Sequence, residues 1–126
     1  MARRALPTLL LVLALPLTAA VADPQALFLI QRTPLAGSQY YALSARWQNM
    51  QAGDKLTLIR EPENRHDSQA IRVEWQGEKI GYLPRTENDV IAAAMDRGVR
   101  FIGKIVSIQN HPDPWQRLQI AVYVKR

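Results

Sequence analysis

The sequence predicts a mainly β domain of the α+β class: five or six short strands and one helix, closed into a small barrel or a strongly curved sheet. Three observations carry this expectation. Runs rich in β-branched and aromatic residues recur between positions 27 and 124, divided by Gly, Pro, Asn and Asp. One segment alone, residues 86–97, changes to helical spacing. The 126 residues hold no repeat and no low-complexity tract, a length that suits one domain with one modest core.

The first segment reads as an address rather than as part of that fold. Residues 1–22, MARRALPTLLLVLALPLTAAVA, place Arg3 and Arg4 ahead of an uncharged apolar stretch over 9–17, then Ala20, Val21 and Ala22 before Asp23. This is the order of a secretory signal peptide cleaved between Ala22 and Asp23. As a membrane anchor it falls short. A nine-residue helix covers about 14 Å, and the wider run is interrupted by Pro7 and Pro16 before it reaches the roughly 20 residues needed to span. The expected product is a single exported domain, residues 23–126, periplasmic or secreted, with no stable membrane insertion. With no cysteine the chain has neither a lipidation site nor a disulfide, so the domain depends on its core alone. Arg3 and Arg4 supply two of the five net positive charges, and what remains is far from the basic footprint of a nonspecific DNA binder.

The elements follow in order. Residues 27–31 form a short apolar run with β character, and 40–46, with two adjacent tyrosines, reads as a second extended segment. A Gly53-Asp54 turn signal precedes a strand over 55–60. In 70–75, Ile71, Val73 and Trp75 alternate with Arg72 and Glu74, the pattern of a half-buried strand. Gln76-Gly77 connects it tightly to a partner over 79–83 that Pro84 closes. Thr86 and Asp89 have capping-box spacing, and Val90, Ile91, Ala94 and Met95 form a stripe that ends near Gly98, so one helix of about three turns is expected. Two long strands, 99–109 and 118–124, then flank the loop Asn110-His111-Pro112-Asp113-Pro114-Trp115.

Residues 56–85 read LTLIREPENRHDSQAIRVEWQGEKIGYLPR. Arg60, Glu61, Pro62, Asn64, Asp67, Ala70, Ile71, Val73, Gly77, Ile80, Gly81, Tyr82, Leu83 and Pro84 fall at fixed spacings in which this stretch resembles the HIRAN family. That family has a strand ending in Arg, an acidic or polar residue and Pro, then Asn and Asp, then Ala-Ile-x-Val, and lastly Ile-Gly-Tyr or His-Leu-Pro. Apart from any family, Pro62 and Asn64 suit a loop leaving a strand sharply, and Asp67 suits either a staple for the loop's backbone amides or a ligand contact. Gly81 marks a bulge or a close backbone approach.

The resemblance implies an OB-like barrel and, from the family's eukaryotic members, recognition of the 3′ end of single-stranded DNA. Aromatic side chains there stack on the terminal base, and the loop Asp with its neighbours contacts the free hydroxyl. By position, Tyr40 of the Gln39-Tyr40-Tyr41 run would stack, Asn64 and Asp67 would lie at the sugar, and Lys79 and Arg85 would meet phosphates. The DNA-binding members carry Arg in place of Gln39 and a second stacking Tyr in place of His66, which retains a smaller ring able to stack.

Other classes have thinner support. Neither GxSxG nor HExxH occurs and there is no cysteine nucleophile, so no enzyme and no cofactor is expected. Glu63, His66 and Asp67 in one loop with His111 and Asp113 in another would suit a divalent metal only if folding brought the loops together. Trp47, Trp115 and the tyrosine pair offer an aromatic surface for a protein, peptide or glycan of the cell envelope, whereas Trp75 reads as core.

Overall fold

A computed structural model describes residues 3–14 and 26–126. The expected cleavage site, with the rest of residues 15–25, lies outside the described residues. Residues 3–14 contain no helix or strand, and no helix among the described residues is long and apolar enough to cross a membrane.

Six strands form the body: β1 (Leu27–Pro34), β2 (Lys55–Glu61), β3 (Ala70–Trp75), β4 (Glu78–Tyr82), β5 (Phe101–Ile108) and β6 (Leu118–Lys125). They pair antiparallel in the order β1-β6-β5-β2-β3-β4. Just past β1, Ala36 bridges back to Tyr82 at the end of β4, each donating its amide to the other's carbonyl at 2.8 and 2.9 Å. That bridge brings the two sheet edges together and closes the barrel. Alternation then fills the interior. Leu56 and Leu58 of β2, Ile71 and Val73 of β3, Ile80 of β4, Ile105 of β5 and Leu118, Ile120 and Val122 of β6 are all buried in one cluster.

The β3–β4 hairpin turns on Gln76 and Gly77, at φ 48° and 80°. Left-handed backbone at both central positions is the type I′ geometry that matches strand twist. Gly81 has a different task. A side chain there would run into the Ala36 carbonyl and lie 2.8 Å from Leu35 Cγ and Cδ1, so only glycine lets the closing bridge form.

Two sequence expectations are corrected. Residues 40–46 are not extended. Gly37, at φ 72°, turns the chain into a 3-10 turn (Ser38–Tyr40), followed by a short helix α1 (Leu43–Arg46) that plugs Leu43, 2% exposed, into the core. Beyond the Ala36–Tyr82 bridge the segment keeps one backbone bond to β4, from the Ala42 amide to the Lys79 carbonyl at 3.2 Å, and its remaining amides turn inward, Tyr40 to Gly37, Tyr41 to Ser38 and Ala45 to Ala42. The second correction concerns α2 (Asp89–Asp96), the expected helix. Its N-cap is Asn88 and makes no side-chain cap bond, so no Thr86–Asp89 capping box forms. Ile91 and Ala92 face the core, while Val90 points out at 70% exposure; the apolar stripe is set one residue from its expected phase. Of the tryptophans, Trp75 is buried and donates its indole N–H to Asp54 at 3.1 Å, Trp47 packs partly buried against the core, and Trp115 is half exposed.

Candidate functional site

The loop over residues 62–69, between β2 and β3, is held by its own short polar side chains. Asn64 Oδ1 accepts from the amides of His66 and Asp67 at 2.9 and 3.2 Å, and its Nδ2 donates to Glu61 at 3.0 Å. Asp67 Oδ1 accepts from the Gln69 amide at 2.9 Å. Its other oxygen accepts from the side chain of buried Asn88, at 2.8 Å, which ties the loop to the start of α2. Asp67 is thus a staple, and its carboxylate still lines a cavity.

That cavity has a volume of about 470 Å³ and is open to solvent. The barrel contributes Lys79 and Tyr82 from β4. Residues three apart on a strand normally face opposite sides, but the β3–β4 register shifts between Val73 and Glu74, so Lys79 sits opposite Glu74 and Tyr82 opposite Arg72. The bulge therefore puts both side chains on the outer face. Tyr41, from the turn before α1, meets Tyr82 edge-on at 5.9 Å, and the Lys79 ammonium lies 4.3 Å from the Tyr41 ring centre and 4.4 Å from that of Tyr82. Arg85 and His66 are exposed at the rim.

Glu61 anchors the site from below. It accepts from the Tyr82 hydroxyl at 2.7 Å and pairs with Arg72 at 3.0 Å. Burial pushes its carboxyl up, but hydrogen bonds from Asn64 and Tyr82 and the charges of Lys79 and Arg72 outweigh this and hold it below the usual carboxylate range. Burial likewise opposes the Lys79 ammonium, and the Tyr82 and Tyr41 hydroxyls outweigh it, so Lys79 stays charged. A carboxylate with a lowered folded-state pKa contributes stability that is complete above its ordinary value of 4.5 and fades as pH falls through the folded one. Melting temperature should therefore fall more steeply between about pH 5 and pH 3 in the wild type than in Glu61→Gln. Parallel curves from thermal melts would remove Glu61 from this role.

Of the eight residues expected from the sequence, Tyr41, Asn64, His66, Asp67, Lys79 and Arg85 surround this one cavity. Tyr40 stands beside it, its ring 76% exposed and edge-on to Tyr41 at 6.5 Å; Gln39 is exposed on the same turn. The two His/Asp loops are not joined. His111 Nδ1 accepts from the Asp113 amide and Asp113 caps Trp115, and no three His, Asp or Glu side chains gather into a metal-binding group among the described residues. Sequence reasoning missed Glu61, Tyr82 and Asn88 as parts of the site. Tyr82 and Glu61 fall within the HIRAN-like stretch of residues 56–85; Asn88 carries no signal, because an Asn at the start of a helix has no pattern of its own that points to a ligand.

A family model described as the HIRAN domain matches residues 29–126, from β1 to the end of the chain. The chain belongs to the HIRAN family. This HIRAN chain is similar to a solved protein from Lactobacillus plantarum, 27% identical with a TM-score of 0.70, covering 80% of this chain and 97% of that one. It shares its fold with the HIRAN domain of human HLTF at 20% identity and a TM-score of 0.58, covering 80% of this chain and 77% of that one. A 52-residue stretch is 40% identical to a Fanconi-associated nuclease 1 homolog of rice; it covers 38% of this HIRAN chain and 5% of the nuclease homolog, so the likeness is to one small segment of that protein.

Proposed function

We propose that this HIRAN domain is a non-catalytic module that binds single-stranded nucleic acid by its 3′ end in the cavity between the 62–69 loop and β4. HIRAN domains bind nucleic acid, and the observation that carries the finer reading is the convergence of six residues named from the sequence on one open cavity. The chemistry suits the ligand. Lys79, fixed over two rings, and Arg85 at the rim offer cations to the last phosphates. Each Asp67 oxygen already accepts one bond, which orients the carboxylate and leaves acceptor capacity for a sugar hydroxyl. Both Tyr41 and Tyr82 are engaged by Lys79, whereas Tyr40 presents an exposed ring on which a base can stack. Export directed by residues 1–22 would make the ligand DNA outside the cytoplasm.

Fluorescence anisotropy at low salt tests the end preference. A short single strand ending in a 3′ hydroxyl should bind at low micromolar protein, and a 3′ phosphate should weaken it by roughly tenfold or more, because the hydrogen bond to Asp67 is replaced by repulsion. Indifference to the end, or no binding in that range, would overturn this reading.

A further inference from the structure

A second surface lies on the outer face of the barrel, and strand pairing defines it. Directly opposite residues of antiparallel strands share a face, so Arg32, Ala121, Lys104 and Lys55 form one row across β1, β6, β5 and β2. Beside it runs Leu29–Tyr123–Ile102, and beyond that Leu27–Lys125. The intervening row, Leu56–Gly103–Val122, is buried, so these three rows lie on the opposite, outer face; Ala121 in the first row is only 2% exposed, and the cations Arg32, Lys104 and Lys55 carry that row's surface. Lys104 leans over the Tyr123 ring at 5.6 Å, as neighbours on one face must.

The face has two properties that a solvated surface does not need. None of its positions is acidic, and none of Arg32, Lys55, Lys104 and Lys125 has an ion-pair partner among the described residues. Lys55 and Lys104 sit directly opposite one another, an arrangement that costs stability. Next to these cations on β1, Leu29 is 50% exposed, and Ile30, at the bulge that follows it, is 47% exposed.

We propose that this face docks on an anionic lipid bilayer, with the cations at the headgroups and the β1 apolar residues with Tyr123 at the acyl boundary. Charge complementarity calls for a polyanion, and the apolar part chooses between polyanions. A nucleic acid gains nothing from aliphatic Leu27, Leu29, Ile30 and Ile102, and the one aromatic of the three rows, Tyr123, already carries a lysine. A bilayer surface takes cations, aliphatic side chains and an interfacial tyrosine together. The proposal does not depend on the cavity's ligand.

The test is sedimentation with vesicles, using the chain from Asp23, since every strand among the described residues lies within Leu27–Lys125 and a solved relative is covered over 97% of its length by this chain. At low salt the protein should partition onto vesicles of phosphatidylglycerol and phosphatidylcholine at least tenfold better than onto phosphatidylcholine alone, and 0.5 M salt should abolish the difference. Lys55→Glu with Lys104→Glu keeps a like-charged cross-strand pair and reverses only its sign, so the melt should barely move while partitioning falls at least tenfold. Leu29→Asp should reduce partitioning without altering affinity for a short oligonucleotide. No partitioning, equal partitioning onto neutral vesicles, or unchanged partitioning of the double variant would overturn the proposal. If the double variant instead lost oligonucleotide binding and kept vesicle binding, the face would belong to nucleic acid and the proposal would fall.

Discussion

Gly81→Ala should lower the stability of the domain by about 3 kcal/mol, and its melting temperature by roughly 10–20 °C. The added methyl has nowhere to go, because it meets the Ala36 carbonyl and the Leu35 side chain at the seam where β1 and β4 close the barrel. Leu35 is buried and so cannot swing aside, and the carbonyl is fixed by the 2.9 Å bond it accepts from Tyr82. Overpacking against backbone costs more than overpacking against a flexible side chain, and here both neighbours are constrained. A thermal melt within about 2 °C of the wild type would show that the seam yields. The same variant should also weaken ligand binding, since Tyr82 lies on both the seam and the cavity wall.

Tyr40→Ala is expected to weaken binding of a short single strand by roughly 5- to 150-fold, the range that corresponds to losing a stack of about 1–3 kcal/mol. Tyr40 is 76% exposed and meets Tyr41 edge-on, so the melting temperature should barely change. That separation of binding from stability makes the variant informative. His66→Ala should cost less, because imidazole offers a smaller stacking face. Anisotropy titrations of the three proteins at one salt concentration decide the matter. Equal affinity for the wild type and Tyr40→Ala would mean that the base stacks elsewhere or that the cavity holds a different ligand.

Much of this site was legible because it is local. The loop after β2, the alternation of β3 and the Gln76-Gly77 turn all fall between residues 55 and 83, so spacing in sequence translates almost directly into spacing in space. What escaped reading depends on contacts between distant segments. Residues 40–46 read as an extended segment, and they coil because the left-handed backbone at Gly37 turns the chain away after its single bridge to β4. Which tyrosine faces the cavity is decided by the left-handed turn at Gly37, which sets the phase of the 3-10 turn. Lys79 and Tyr82 share a face only because the β3–β4 register shifts, and a bulge cannot be seen in one strand's own pattern. Asn88 had the place of a helix cap, but its amide serves a loop twenty-one residues earlier.

The Ala36–Tyr82 bridge also gives the molecule a latch. It is one residue pair joined by two hydrogen bonds, with a third from the Ala42 amide to the Lys79 carbonyl, whereas every strand pairing in the sheet extends over at least two residue pairs, so closure rests on the shortest pairing in the barrel. Ala36 and Tyr82 both line the cavity. A ligand held against both residues acts as a clasp on the fold itself, stabilising the closed barrel by an amount that grows with the logarithm of its concentration above Kd.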